Sequence, residues 1–288
     1  MQTVTLNNGV EMPILGFGVF QVPPAECAKA VLNAFEAGYR MIDTAQAYYN
    51  EEGVGEALEV SGLPRKDVFL VTKVWISNAG EEKAAQSIER SLEKLRTDTI
   101  DLLLIHQPFG DYPGTWRAME KALADGKVRA IGLSNFYPDR FVDMAECATV
   151  KPAVNQLQTN VFRQQWDSEA EMKPYGTRIM AWGPLAQGNP ELMQNPAIRS
   201  LSAKYGKTPQ QVALRYLIDR GIVAIPKTTH VERMKENLEV FDFALTANEI
   251  ESLRALDTPE DFRWSHRNPE LVKFLLHYDE QFNPERRR

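Results

Sequence analysis

Four polar side chains stand where runs of apolar residues end. Arg40-Met41-Ile42-Asp43 closes one run, Val68-Phe69-Leu70-Val71-Thr72-Lys73 the next, and Ile100-Asp101-Leu102-Leu103-Leu104-Ile105-His106 a third. Tyr48 follows Asp43 after a short loop. A free tyrosine hydroxyl ionises near pH 10, and it serves best as an acid when that value moves toward neutrality. A lysine ammonium beside it favours the phenolate and is expected to lower the value. An aspartate paired with the lysine keeps it charged and oriented, and a histidine can hydrogen-bond a carbonyl oxygen and polarise it. Tyr48 would then protonate an oxygen that turns negative as its carbon is attacked, with Asp43 and Lys73 as the ion pair behind it. The chemistry implied is reduction of a carbonyl, or its reverse. Each residue alone has an ordinary structural reading, as a strand-end charge, a loop acceptor or a satisfied histidine. Their joint placement at the ends of successive runs is what points to a site.

The elements that must position them form a repeat. Short runs rich in Ile, Val and Leu occur at 14–18, 40–44, 68–74, 100–105, 128–133, 153–157, 179–182 and 222–225. Such runs suit strands buried on both faces, as in a parallel sheet covered by helices. Amphipathic stretches lie between them. Residues 25–37 place Ala28, Val31, Leu32 and Phe35 on one face, and 81–95 do so with Ala84, Ile88, Leu92 and Leu95. Thr208-Pro209 opens another, with an N-cap and a proline at the first helical position. Eight such units predict an α/β fold, a (β/α)8 barrel, as one domain over residues 1–288. Ahead of them, Asn7-Asn8-Gly9 between strand-like runs predicts a β-hairpin, read as a lid over one end. The tail from about Asp257, with Phe262, Trp264 and Phe274, has no place in the repeat and is expected to wrap across the active-site end, the last residues being loose.

Composition narrows the function classes. With 43% hydrophobic and 25% charged residues and a net charge of −6, the chain reads as a globular protein that binds neither nucleic acid nor an anionic membrane. No apolar stretch reaches the ~18 residues that span a bilayer, and no signal peptide opens the chain. Cys27 and Cys147 are read as two partly buried free thiols. A cytoplasmic monomer without a structural metal is expected.

Longer motifs carry a resemblance. They include Leu15-Gly16-Phe17-Gly18, Gly38-Tyr39-Arg40-Met41-Ile42-Asp43-Thr44-Ala45, Tyr49-Asn50-Glu51-Glu52-Gly53-Val54-Gly55, Leu103-Leu104-Ile105-His106, Gly126-Lys127-Val128-Arg129-Ala130-Ile131-Gly132-Leu133-Ser134-Asn135-Phe136, Val154-Asn155-Gln156, Ile225-Pro226-Lys227 and His266-Arg267-Asn268-Pro269-Glu270. In this order, over essentially the whole length, the chain resembles an aldo-keto reductase. The resemblance places Asp43, Tyr48, Lys73 and His106 at the family's catalytic tetrad, with Tyr48 as general acid.

A carbonyl reduction also needs a hydride, which no side chain supplies. The Rossmann fingerprint is missing: Gly16-Phe17-Gly18 lacks its third glycine, and Gly53-Val54-Gly55 runs on into Glu56-Ala57-Leu58. Gly206-Lys207-Thr208 lacks the upstream glycine of a P-loop. Barrels often bind phosphate at the loops after strands seven and eight, and Lys227, Thr228 and Arg233 suit a phosphomonoester. The resemblance implies that these grip the 2′-phosphate of NADPH/NADP+, and that Glu236 and Asn237 contact adenine. It implies further that Ser134, Asn135 and Gln156 hold the nicotinamide carboxamide, that Trp182 stacks on the ring, and that Leu185 and Gly188 border the pyrophosphate. Many members have Tyr where this chain has Trp182; Ala181-Trp182-Gly183-Pro184-Leu185 resembles bacterial reductases of the 2,5-diketo-D-gluconate type. The stretch Asn155-Gln156-Leu157-Gln158-Thr159-Asn160-Val161 also departs from the family's usual pattern.

Phe20 and Trp75 match pocket-wall positions, and Gln107 replaces an aromatic common in animal relatives, which implies a more polar pocket. Aldehydes, ketones, α-dicarbonyls or keto-sugar acids are the expected substrates. Two other readings are weighed. A redox-sensing barrel would bind NADPH with little turnover, against which the intact tetrad speaks. A metal-dependent hydrolase would need ligand spacing that His106, His230, His266 and His277 lack.

Overall fold

The computed structural model describes residues 2–258 and 265–283. Phe262, Trp264 and the terminal arginines, to which the sequence assigns part of the tail, lie outside the described residues. The strands are β1 (Thr3–Thr5), β2 (Glu11–Pro13), β3 (Phe17–Gly18), β4 (Met41–Asp43), β5 (Phe69–Val74), β6 (Leu102–Ile105), β7 (Ile131–Ser134), β8 (Val154–Gln158), β9 (Arg178–Trp182) and β10 (Val223–Ala224). The helices are α1 (Pro24–Ala37), α2 (Glu51–Val60), α3 (Glu81–Lys94), α4 (Tyr112–Ala124), α5 (Pro138–Cys147), α6 (Trp166–Met172), α7 (Glu191–Gln194), α8 (Pro196–Tyr205), α9 (Pro209–Asp219), α10 (Val231–Leu238), α11 (Ala247–Arg254), α12 (Pro269–Leu276) and α13 (Tyr278–Phe282).

Strands β3 to β10 pair in parallel, each with its sequence neighbour. A parallel bridge between Leu15 and Ala224, with Gly16 N donating to Ala224 O at 2.9 Å, joins the first strand to the last and closes the (β/α)8 barrel. Local signals act as the sequence predicts. In α9, Thr208 and Gln211 form a capping box with Pro209 just inside it. Gly38 ends α1 at φ 115, a left-handed conformation that a side chain would strain.

The period of two along each strand sorts the core. Met41, Phe69, Val71, Leu102, Leu104, Val154, Met180 and Val223 point inward and fill the barrel, while Ile42, Leu70, Leu103, Ile105, Leu133 and Leu157 meet the helices. Burying each such side chain contributes roughly 1.5–3 kcal/mol. The inward rows do not stay apolar. Carried to the C-terminal ends of the strands, they arrive at Asp43, Lys73, His106, Ser134, Gln156 and Trp182. The site is therefore the polar top layer of the same stack that forms the core.

The β1–β2 hairpin closes the opposite end. Its Leu6 and Met12 enter the inner core. Asn7 Nδ2 donates to Pro152 O at 3.0 Å and Asn8 Nδ2 to Arg129 O at 2.9 Å, both just ahead of β8 and β7. Among the described residues no helix is long and apolar enough to cross a membrane. One expectation needs correction: Cys27 is fully buried, its thiol pushed up to about 12 by burial, but Cys147 is exposed. Cys147 ends α5 off the face that buries Phe141, Met144 and Ala145.

Candidate active site

Lys73 is fully buried. Its Nζ donates to Asp43 Oδ1 and Oδ2 at 2.8 and 2.7 Å and to the Thr44 carbonyl at 2.8 Å, and reaches the Tyr48 hydroxyl at 3.4 Å. Asp43 also accepts from Gln156 Nε2 at 2.8 Å. Desolvation of a buried ion pair is costly, and bidentate contact with added hydrogen bonds is what offsets it. The Tyr48 and His106 rings meet edge to face with centroids 5.5 Å apart. Tyr48 sits on a 3-10 turn, Gln46–Tyr48, which ends where Tyr49 takes φ 55.

The charge states follow from burial. Lys73 is held below its ordinary value by burial, against the opposing pull of Asp43. His106 lies well below its ordinary value, because burial and then the Lys73 ammonium and His266 all disfavour a second proton. The imidazole is therefore neutral, and its Nδ1 meets no partner among the described residues. Tyr48 differs from expectation: its hydroxyl is pushed well above the ordinary value, first by burial, then by the Asp43 charge and Tyr278. Asp43 takes the two shortest Lys73 contacts, and its own charge opposes a phenolate at Tyr48. In this state Tyr48 is a phenol with its proton firmly held.

Further predicted residues stand beside these four. Ser134, Asn135 and Gln156 are buried. Asn135, at φ 64, donates from Nδ2 to the His106 carbonyl at 3.1 Å and accepts the Trp182 indole N–H at 2.9 Å. Ser134 Oγ donates to the Gln156 carbonyl at 3.1 Å. The Phe20 ring lies 4.9 Å from that of Tyr48, and Trp75 lies 4.9 Å from His106. Gln107 is buried, with its Oε1 unpartnered among the described residues. Beside Asn135 a cavity of about 560 Å³ opens, bordered by Pro108, Phe109, Tyr137, His266 and Arg267.

The remaining predicted residues sit on separate loops. Leu185 and Gly188 flank and end the turn after β9, and nothing lies within 4 Å of where a Gly188 side chain would begin. After β10, Lys227 and Arg233 are exposed, while Thr228 is buried and its Oγ1 accepts from His230 N at 3.1 Å. Neither cation pairs with another described residue. Glu236 and Asn237 are already engaged within the protein. Glu236 Oε1 accepts from Thr208 Oγ1 at 2.6 Å, and the buried Asn237 bonds Tyr39.

Sequence reasoning missed two contributors. Tyr278 on α13 packs edge-on against Trp75 at 5.4 Å, and its neighbour Asp279 accepts from the Tyr49 hydroxyl at 2.6 Å. Gln46 holds the turn that carries Tyr48. A search for spacing signals would not find either, because their partners are remote in sequence.

Comparison with known proteins agrees with this fold. A sequence model of the aldo/keto reductase family matches residues 14–258. The chain is 42% identical to glyoxal reductase of Bacillus subtilis over 260 residues, 90% of this chain and 94% of that one. It superposes on an aldo-keto reductase from a Medee basin deep-sea metagenome library with a TM-score of 0.89 at 39% identity, covering 92% and 98% of the two chains. Against the Bombyx mori aldo-keto reductase solved in complex with NADP the TM-score is 0.85 at 31% identity, with 93% and 98% covered. The chain belongs to the aldo/keto reductase family. It is an oxidoreductase of that class.

Proposed function

We propose that this protein is an NADPH-dependent carbonyl reductase, one catalytic barrel unit acting on aldehydes, ketones, α-dicarbonyls or keto-sugar acids, with Tyr48 as general acid. The observation that carries the reading is the Tyr48 hydroxyl, 3.4 Å from a lysine that is itself pinned by Asp43. Burial keeps the phenol protonated, so the proton to be delivered is in place at neutral pH. A neutral imidazole carries one N–H, and His106 can give it to the same carbonyl oxygen. Phe20 and Trp75 flank that position, and Gln107 adds a polar wall.

The residues present fit a nicotinamide dinucleotide phosphate, which when bound supplies the hydride. Two exposed cations without an ion-pair partner among the described residues, Lys227 and Arg233, and the Thr228 hydroxyl form a donor set suited to a phosphomonoester. Ser134, Asn135, Gln156 and Trp182 line the nicotinamide end in this reading, and Leu185 and Gly188 border the pyrophosphate. Glu236 and Asn237 contact adenine only with the atoms that Thr208 and Tyr39 leave free. Because the whole arrangement comes from one chain, a monomer suffices, and the cytoplasm is the proposed compartment.

The test uses methylglyoxal, an α-dicarbonyl close to the substrate named for the Bacillus relative. Tyr48→Phe is expected to lower kcat for NADPH oxidation by on the order of 10²–10⁴-fold while NADPH still quenches tryptophan fluorescence. Turnover near that of the parent protein in this variant would sink the mechanism. A binding barrel without turnover would instead show NADPH affinity and no reaction with a panel of carbonyls.

A further inference from the structure

We infer that Gln46 is a positioning residue for the reduction: its side-chain amide sets the distance between the Tyr48 hydroxyl and Lys73. The inference rests on the reading of Tyr48 as the acid. Gln46 opens the short turn that ends in Tyr48. Its Oε1 accepts from the Trp75 backbone N–H at 2.9 Å and from Asn78 Nδ2 at 2.9 Å. Its Nε2 donates to Ser91 Oγ at 3.1 Å and to the Ser87 carbonyl at 3.3 Å. The full capacity of a primary amide, two donors and two acceptor sites, is thereby used. The orientation is also fixed, since the Trp75 N–H can only donate and the Ser87 carbonyl can only accept.

The partners matter more than their number. Trp75 directly follows β5, two residues after Lys73, and it packs on His106. Ser87 and Ser91 are on the buried face of α3. One amide thus fastens the Tyr48 turn to the strand end that carries Lys73 and to the helix behind it. The contact being set, 3.4 Å, is at the long end of hydrogen-bond reach, so a small outward drift of the turn breaks it. Misplacement by about 1 Å costs roughly a hundredfold in rate when geometry is what the site contributes. Among the described residues the backbone bonds of the turn run to its own neighbours, such as Tyr48 N to Ala45 O at 3.0 Å.

The experiment compares Gln46→Ala, Gln46→Glu and Tyr48→Phe in the full chain with NADPH and methylglyoxal. Gln46→Ala is expected to lower kcat roughly 10- to 100-fold, with KM and NADPH affinity changed less than about threefold and a shifted pH profile of kcat. Gln46→Glu keeps the acceptor for Trp75 N–H and Asn78 but loses the donor to Ser87 and sets a carboxylate oxygen against that carbonyl, so it is expected to recover only part of that loss. A folded Gln46→Ala protein with kcat and pH profile unchanged overturns the inference. Should Gln46→Ala not fold, Asn78→Ala, which removes one partner of the amide, decides in its place: a lowered kcat with a shifted pH profile supports the inference, and kcat and pH profile both unchanged overturn it. If Tyr48→Phe itself turns over normally, the underlying reading fails rather than the role of Gln46.

Discussion

Lys73 and Arg233 carry the same charge in opposite settings. Lys73 is sealed in the top layer of the barrel core, with its ammonium bonded to Asp43 and Thr44. Arg233 stands exposed on α10 with no partner among the described residues. A buried cation must be satisfied before any ligand arrives, or it destabilises the fold. An exposed one retains its hydration and can be recruited when an anion comes. The first region is built to hold a geometry, and the second to capture a charge. Substitutions in the two regions should therefore fail in different ways.

The largest contrast comes from Asp43→Leu. It strands the Lys73 ammonium in the core, and a loss of about 3–5 kcal/mol of unfolding free energy is expected. Urea denaturation checks it, and an unchanged midpoint would mean that Lys73 finds another partner or leaves the core. Arg233→Ala should leave the urea midpoint alone. Losing one charge-assisted contact of about 1.5–3 kcal/mol, it should raise the NADPH dissociation constant roughly tenfold to a hundredfold, with little effect on NADH. Equal losses for both cofactors would dissolve the contrast between the two regions.

Acid sharpens the comparison further. The folded His106 value lies well below the ordinary 6.5. As pH falls through about 6.5, the unfolded chain takes up the proton first, so stability is lost toward acid and none is gained above neutrality. The slope is at most about 1.4 kcal/mol per pH unit for one proton. Unfolding midpoints at pH 7.5 and 5.5 should differ more in the parent protein than in His106→Gln, and identical differences would show that His106 is not the sensor. The smallest effect is expected at Tyr278→Ala. It removes an edge-to-face contact with Trp75 worth about 0.5–1.5 kcal/mol and should shift preference several-fold toward bulkier aldehydes over methylglyoxal. An unaltered ratio would take Tyr278 out of the pocket wall.

How much of this was legible in the sequence depends on range. The barrel strands and the polar residues at their ends follow from local composition and a period of two, so they read directly. Glu236 and Asn237 lie on the helix after the last strand, and their pairing with Thr208 and Tyr39 depends on how α10 packs. The Tyr48 hydroxyl departs from the expected lowering for a similar reason. Proximity to Lys73 can be inferred, but that Asp43 takes both short contacts, and that burial outweighs the charge, are facts of three dimensions. Tyr278 reaches Trp75 from a tail beyond the repeat, and no periodicity announces it.

The hydrogen bond from Gln156 to Asp43 has a mechanical side. Strands β4 and β8 stand four places apart in a ring of eight, so the side chains of Gln156 and Asp43 reach across the barrel mouth to meet in this 2.8 Å bond. It acts as a cross-brace at the mouth, resisting any flattening of the circle that would carry Lys73 away from Tyr48. The brace is a neutral amide, which any ligand with its own amide can compete for. A guest that loosens it must take over its work of keeping the rim round.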